Sequence, residues 1–180
     1  MSGHNKWSKI KHKKAAGDAK KSKIFSKYAR LITLEAKKAN GDKNAPGVLA
    51  VIERARKESM PNDNIDRAIQ KAAGGGADSM EEVLYETFGP GGTALVITAV
   101  TDNSNRTTPE IRHILSKAGY QLGAAGSALW AFTKTTDGYV PTAPLDLADE
   151  DGEKLATLVE ALEEQDDVQD IYTTADTPDA

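Results

Sequence analysis

The sequence predicts a multi-domain α and α+β protein, a basic N-terminal helical bundle followed by a ferredoxin-like α+β sandwich domain. Three observations predict it. The apolar period is helical up to about residue 73, then becomes one of short strands alternating with two helices. A triple glycine, Gly74-Gly75-Gly76, stands at the change. The charge also reverses there: up to Ala73 the chain holds 18 Lys and Arg against 7 Asp and Glu, and from Gly74 onward 5 against 20. The first thirty residues contain nine lysines, Arg30 and a single acid, Asp18, a formal +9 in a chain of net charge −4. A split this sharp argues for a polyanion-binding module joined to an acidic body.

Residues 1–16 form the expected flexible basic arm, with too few apolar side chains to offset the entropy of ordering. A helical domain is expected over 17–73. From about residue 18 to 39, Ile24, Tyr28, Leu31 and Glu35 share a helical row with Phe25, Ile32 and Ala36 beside it, next to basic Lys20, Lys23, Lys27 and Lys38. Asn40-Gly41 ends this helix. A second, from Pro46 to about residue 58, turns Val48, Leu49, Val51, Ile52 and Ala55 to one face, with Pro46 in the first turn and Arg54, Arg56 and Lys57 at the end. The third begins at Pro61, places Asp63 and Asp66 toward the positive end of its dipole, faces Ile65, Ala68 and Ile69 inward and stops at the triple glycine.

Residues 74–80 read as a Gly-rich linker and 81–175 as the α+β domain. Strands are expected over 82–88 and 93–101, the second built on the unbroken apolar run Ala94-Leu95-Val96-Ile97, with Gly89-Pro90-Gly91-Gly92 as a hairpin turn. Thr107 with Glu110 reads as a capping box for a helix through Ile111, Ile114 and Leu115, closed at Gly119. Strands at 128–134 and 138–143 flank the Asp137-Gly138 turn. A helix over about 149–165 carries Leu155, Leu158, Val159 and Leu162, and 168–174 is a closing strand. The order ββαββαβ favours one antiparallel or mixed sheet with both helices on one face.

Composition excludes several classes. An apolar fraction of 39% with 28% charged residues is ordinary for a soluble globular chain, and no apolar run approaches the roughly 20 residues of a bilayer span. A cytoplasmic protein is expected, with no membrane partner. Zero cysteine removes disulfides, thiolate metal sites and a cysteine nucleophile. His4, His12 and His113 fall in no ligand spacing, no phosphate-binding glycine motif is present, and no catalytic Ser-His-Asp set can be assembled. The expectation is no enzyme, no cofactor, no metal and no small-molecule substrate.

The candidate nucleic-acid-binding residues are Lys6, Trp7, Lys9, Lys11, His12, Lys13, Lys14, Lys20, Lys21, Lys23 and Lys27. Lysine suits a phosphate backbone because a point charge needs no base-edge geometry, and flat rings among lysines can stack on unpaired bases. The alternative for such a run is a solvated tail. Two loops are candidates beside it. Gly89, Pro90, Gly91 and Gly92 could bring backbone amides to a phosphate or a nascent chain, or form a tight turn alone. Asp102, Asn103, Asn105, Arg106 and Thr107 link a buried strand to a helix, where an anion can meet helix N–H groups, or where side chains only cap local backbone.

These motifs taken together are similar to one family: Gly3-His4-Asn5-Lys6-Trp7-Ser8 with Ile10-Lys11-His12-Lys13-Lys14, Phe25-Ser26-Lys27, Met60-Pro61-Asn62-Asp63-Asn64-Ile65 with Arg67-Ala68-Ile69, Gly89-Pro90-Gly91-Gly92, Thr101-Asp102-Asn103 with Asn105-Arg106-Thr107, and Asp166-Asp167-Val168-Gln169 with Tyr172. The chain resembles the YebC family, whose mitochondrial relatives are translational activators of cytochrome oxidase. The resemblance implies a helical N-terminal domain, α+β domains after it, no enzymatic activity and a role in gene expression. It implies either a DNA-binding transcriptional regulator or a ribosome-bound translation factor. One departure is visible. Family members usually insert a third small domain within the second, whereas here Trp130 to Val140 runs almost directly into Pro141-Thr142-Ala143 and the last helix.

The reading favoured from sequence is a ribosome-associated translation factor that binds rRNA through the basic N-terminal domain, because a Lys-rich arm with aromatics suits folded RNA with accessible bases. The alternative is a regulator of transcription bound to duplex DNA. A third, an acidic protein-interaction module with an incidental basic tail, predicts that removing residues 1–16 leaves activity intact.

Overall fold

The structure, a computed structural model, describes residues 18–176. These residues fall into two compact units, one made of 18–83 with Val100–Ser104, the other of Leu84–Ala99 with 105–176. No helix among the described residues is long and apolar enough to cross a membrane.

The first unit holds α1 (Asp18–Lys38), α2 (Pro46–Lys57) and α3 (Asn62–Ala73). The helix ends follow the local chemistry. After α1 the chain turns through Asn40 at φ 52° and Gly41 at φ 85°, and Gly41 N–H reaches back to Ala36 O at 2.8 Å, a left-handed helix stop. Pro46 opens α2, Pro61 stands before α3, and Gly74 closes it. Ile32 and Ala36 of α1 pack with Val48, Val51, Ile52 and Ala55 of α2 and with Ile65 and Ala68 of α3, all buried. Leu49, expected on the apolar face of α2, is instead 48% exposed. Leu34, on another side of α1, makes a separate cluster with Ala77, Met80 and Val100. The Gly-rich segment after α3 is therefore packed down as a series of turns. Lys37 Nζ fixes it further, donating to Asp78 O at 2.7 Å and Met80 O at 3.2 Å.

The second unit is α+β. Strands β1 (Glu81–Phe88), β2 (Ala94–Thr101) and β5 (Val168–Thr173) form one sheet in the order β1-β2-β5, and β3 (Phe132–Thr135) pairs only with β4 (Gly138–Pro141). The short connection makes β1 and β2 antiparallel, since a parallel pair needs a crossover of about a dozen residues. β2 and β5 are antiparallel with Val96 opposite Tyr172 and Ile97 opposite Ile171. The expected single five-stranded sheet is thus divided into a sheet of three and a hairpin. Hydrophobic layering explains the division. Ala94 and Val96, on one face of β2, pack with Ala131 and Phe132 and with Tyr139 of β4. Leu95 and Ile97 point the other way by the two-residue period and are fully buried, as are Ile111 and Leu115 of α4 (Ser104–Lys117) and Leu155 and Leu162 of α5 (Asp149–Glu163). A strand covered on both faces needs an unbroken apolar run, which β2 has.

Two further local expectations change. α4 begins at Ser104, so Thr107 lies inside the helix and is not its cap. The expected strand at 128–134 opens as a 3₁₀ turn at Leu129–Ala131, because the N–H groups of Ala128 and Leu129 bond to a buried carboxylate, described below, instead of a neighbouring strand.

Candidate nucleic-acid interface

Lys6, Trp7, Lys9, Lys11, His12, Lys13 and Lys14 lie outside the described residues. The four remaining candidate lysines are all on α1, and the helix separates them. Lys20, Lys23 and Lys27 follow the i, i+3, i+7 spacing along one row. Lys21 lies on a different side, with Phe25 four residues on. There it borders an open groove of about 560 Å³ between α1 and α3. Lys38 is drawn into ion pairs, 2.8 Å from Glu35 and 3.5 Å from Glu82. Burial works against its charge, but the two carboxylates outweigh that and raise its pKa.

The groove gathers cations that no local motif joins. Lys21 and Arg30 come from α1, Arg67 and Lys71 from α3, and among the described lining residues there is no carboxylate. Arg67 is braced: Nε donates to Asp63 O at 3.2 Å, and an Nη2 hydrogen bond runs to the Asn64 side chain. Thr33 ties the helices beneath it, its hydroxyl placed 2.7 Å from Ala29 O and 3.1 Å from Ala68 O. The small side chains Ala29 and Ala68 permit that close approach. The apolar part of the lining includes half-buried Phe25 and buried Met60. Sequence reading did not single out Arg67 and Lys71 for binding. Their i, i+4 spacing on α3 was a visible signal, but nothing local showed that this face turns toward Lys21 and Arg30.

The glycine loop is built as a tight turn. Gly89 N–H donates to Thr93 O at 2.8 Å, Pro90 is buried, and Gly91 and Gly92 have φ of 65° and 76°. A Cβ at Gly91 would fall 2.6 Å from Leu147 Cδ2, and one at Gly89 would fall 2.8 Å from Leu95 Cδ1. Close packing therefore favours glycine at both positions. At Gly92 a Cβ meets nothing within 4 Å.

In the polar string after β2, Asn103 N–H donates to Thr101 Oγ1 at 2.9 Å. Beyond it, Asp167 is the centre. Its Oδ2 accepts from Arg106 Nη2 at 2.9 Å and Thr107 Oγ1 at 2.7 Å, and its own N–H donates to Gln165 Oε1 at 2.7 Å. Gln165 also reaches Glu110 Oε2 at 2.7 Å. Asp102 and Asn105 remain exposed at the surface of this loop.

Sequence reading missed Glu86 altogether. It is 3% exposed, and its carboxylate accepts the backbone N–H groups of Gly126 at 2.6 Å, Ala128 at 3.0 Å and Leu129 at 2.6 Å. Three convergent donors are what a buried charge needs. An acid in a strand gives no hint of them, because the donors come from a loop about 40 residues on. The same loop carries Trp130, 72% exposed, whose indole N–H donates to Ser127 O at 2.7 Å.

Comparison with known proteins fits this architecture. Residues 5–75 match the model of the TACO1/YebC protein N-terminal domain, and residues 80–137 match that of the TACO1/YebC second and third domain. A protein of Hahella chejuensis named "Probable transcriptional regulatory protein" is 37% identical over 242 positions, covering 99% of this chain and 97% of the relative. Because that alignment is longer than the 180 residues here, the relative carries residues with no counterpart in this chain. A protein of the same description from Thermoanaerobacter pseudethanolicus is 53% identical over 137 residues, 74% of this chain but only 55% of the relative. A solved structure of a conserved hypothetical protein from Aquifex aeolicus superposes with a TM-score of 0.82 at 29% identity, covering 95% of this chain and 96% of that one.

Proposed function

The chain belongs to the TACO1/YebC family, and from that premise we propose that it is a non-enzymatic, nucleic-acid-binding regulator of gene expression acting in transcription. The observation that carries the reading is the description of relatives up to 53% identical as probable transcriptional regulatory proteins. The charge distribution supports it. A segment of formal charge +9 leads into a helical unit that adds Arg67 and Lys71 to the lysines of α1, while the acidic remainder of the chain repels phosphate.

In this reading Lys6, Lys9, Lys11, Lys13 and Lys14 neutralise phosphates, Trp7 and His12 lie against bases or sugars, and Lys20, Lys21, Lys23 and Lys27 continue the contact along α1. The loop from Asp102 to Thr107 is a second contact, with Arg106 presented from its anchor on Asp167. Duplex DNA is the partner that a transcriptional role requires. A second reading, a ribosome-associated translation factor on rRNA, is favoured by the groove, whose size and apolar lining suit an unpaired nucleotide better than a duplex.

Selection from a random duplex library, followed by sedimentation with ribosomes in the presence of excess random duplex, separates the two. The transcriptional reading expects an enriched site bound about 10³- to 10⁷-fold more tightly than random DNA, and a protein that DNA strips from ribosomes. Absence of any enriched site, with the protein pelleting on ribosomes despite competitor, replaces it with the second reading.

A further inference from the structure

We infer that the groove between α1 and α3 is a seat for a short unpaired stretch of nucleic acid, holding phosphate on Arg67, Lys71 and Lys21 and a base against Phe25. The inference deepens the nucleic-acid-binding reading above and rests on it.

Four features of one cavity converge. Its lining brings cations from two helices and, among the described residues, no acid, the composition that favours an anion. Arg67 is held by Asp63 O and the Asn64 side chain, so part of its rotamer entropy is already spent before a phosphate arrives. Phe25 and Met60 line the same space, and an aromatic ring beside cations is the arrangement that holds single strands, since every base has a π-face. Finally, about 560 Å³ lies within the roughly 300–1,000 Å³ of ordinary small-ligand sites. That space admits a nucleotide or two. A double helix, with its bases paired and stacked, offers Phe25 no free base face. Ser22, Ser26 and Asn64 add neutral hydrogen-bonding groups to the lining, able to meet a base edge or a sugar hydroxyl.

The test uses the full chain and three fluorescent probes: an oligouridylate, an oligodeoxyuridylate of equal length and a random-sequence duplex. Affinities are measured by anisotropy for the wild type, for Arg67→Ala/Lys71→Ala, for Phe25→Leu, and for Arg56→Ala/Lys57→Ala on α2 as a control of equal charge loss outside the groove. The groove pair is expected to weaken single-strand binding at least tenfold more than the control pair does, and to flatten its salt dependence by about 0.7 log units for each phosphate released from the groove. Phe25→Leu, which keeps an apolar side chain, is expected to weaken single strands by about 5- to 100-fold through weaker stacking and to leave the duplex unchanged. Tighter binding of oligouridylate than of oligodeoxyuridylate adds recognition of the sugar 2′-hydroxyl; equal binding leaves phosphate and stacking as the whole of it, and both support the seat. Equal losses from the two charge pairs, or a Phe25→Leu effect shared by strands and duplex, overturn it while nucleic-acid binding stands. A wild type that binds none of the three probes overturns the broader reading as well. Thermal unfolding of each variant identifies loss through misfolding, and the exposed Arg67 and Lys71 pair decides the matter if Phe25→Leu fails to fold.

Discussion

Arg106 Nη2 donates to Asp167 Oδ2 at 2.9 Å across 61 residues of sequence. The same oxygen accepts from Thr107, so two polar strings that look unrelated along the chain are halves of one device. The Asp167 side chain is 2% exposed and that of Arg106 is 44%. An arginine anchored on a buried carboxylate keeps part of its guanidinium at the surface in a fixed direction, which suits a contact loop.

Asp167→Asn keeps the volume but removes the charge to which Arg106 and Thr107 donate, with Gln165 Nε2 farther off at 3.4 Å. Hydrogen bonds to charged groups contribute about 1.5–3 kcal/mol each, and the half-exposed arginine falls toward the low end because solvent screens it. A loss of about 2 kcal/mol in denaturant unfolding is expected. Arg106→Ala added to Asp167→Asn is expected to cost less than the two single losses combined, because the partners are coupled; strict additivity would show that the pairing contributes nothing.

Glu86→Gln places an amide among three backbone N–H groups. One of its two side-chain positions becomes a donor facing a donor, so about 2–3 kcal/mol of stability is expected to go. The loss is local in origin. Amide hydrogen exchange at Gly126, Ala128 and Leu129 should accelerate more than at the centre of β2, and unchanged exchange at these three would contradict the carboxylate's role.

The glycine turn offers a graded comparison. Gly91 and Gly92 both have positive φ, yet only at Gly91 does a Cβ run into a neighbour, Leu147. Gly92→Ala is expected to cost about 1–2 kcal/mol through the left-handed backbone alone. Gly91→Ala adds a steric clash and should cost more. Thermal melts of the two variants give the order directly, and a reversed order contradicts the geometry.

Thr33→Val tests the tie between α1 and α3. It removes a hydroxyl placed to reach Ala29 O and Ala68 O while keeping a β-branched shape. A loss of about 1 kcal/mol is expected in denaturant unfolding, and no measurable change would remove the hydroxyl from the account of how the groove is held.

Local features were legible in the sequence because their causes are local. The period of Ile32 and Ala36, Pro46 at the start of α2, Asn40-Gly41 after α1 and the glycine turn each act within a few residues, and the structure has these elements where the pattern puts them. Several features that depend on a distant partner were misread or missed. Thr107 matched a capping box by spacing, but its hydroxyl goes to Asp167, 60 residues away. The hairpin of β3 and β4 was expected in the main sheet, because alternation within a strand does not say which strand it joins. Leu49 had the right period for a buried face, yet it is exposed. The groove belongs with these cases: Lys21 was visible in the basic run, whereas Arg67 and Lys71 become its neighbours only when α3 folds back along α1.

The claim that the basic N-terminal segment anchors this protein on nucleic acid is tested most directly by the salt dependence of binding. Affinity for random duplex DNA is measured over a range of salt concentrations for the wild type and for a variant with Lys9, Lys11, Lys13 and Lys14 changed to Ala. The account predicts a log–log slope flatter by about 0.9 for each duplex phosphate that the variant no longer neutralises, up to about 3.6 for four. A variant with unchanged slope and affinity would contradict it, and the segment would then be a solvated tail.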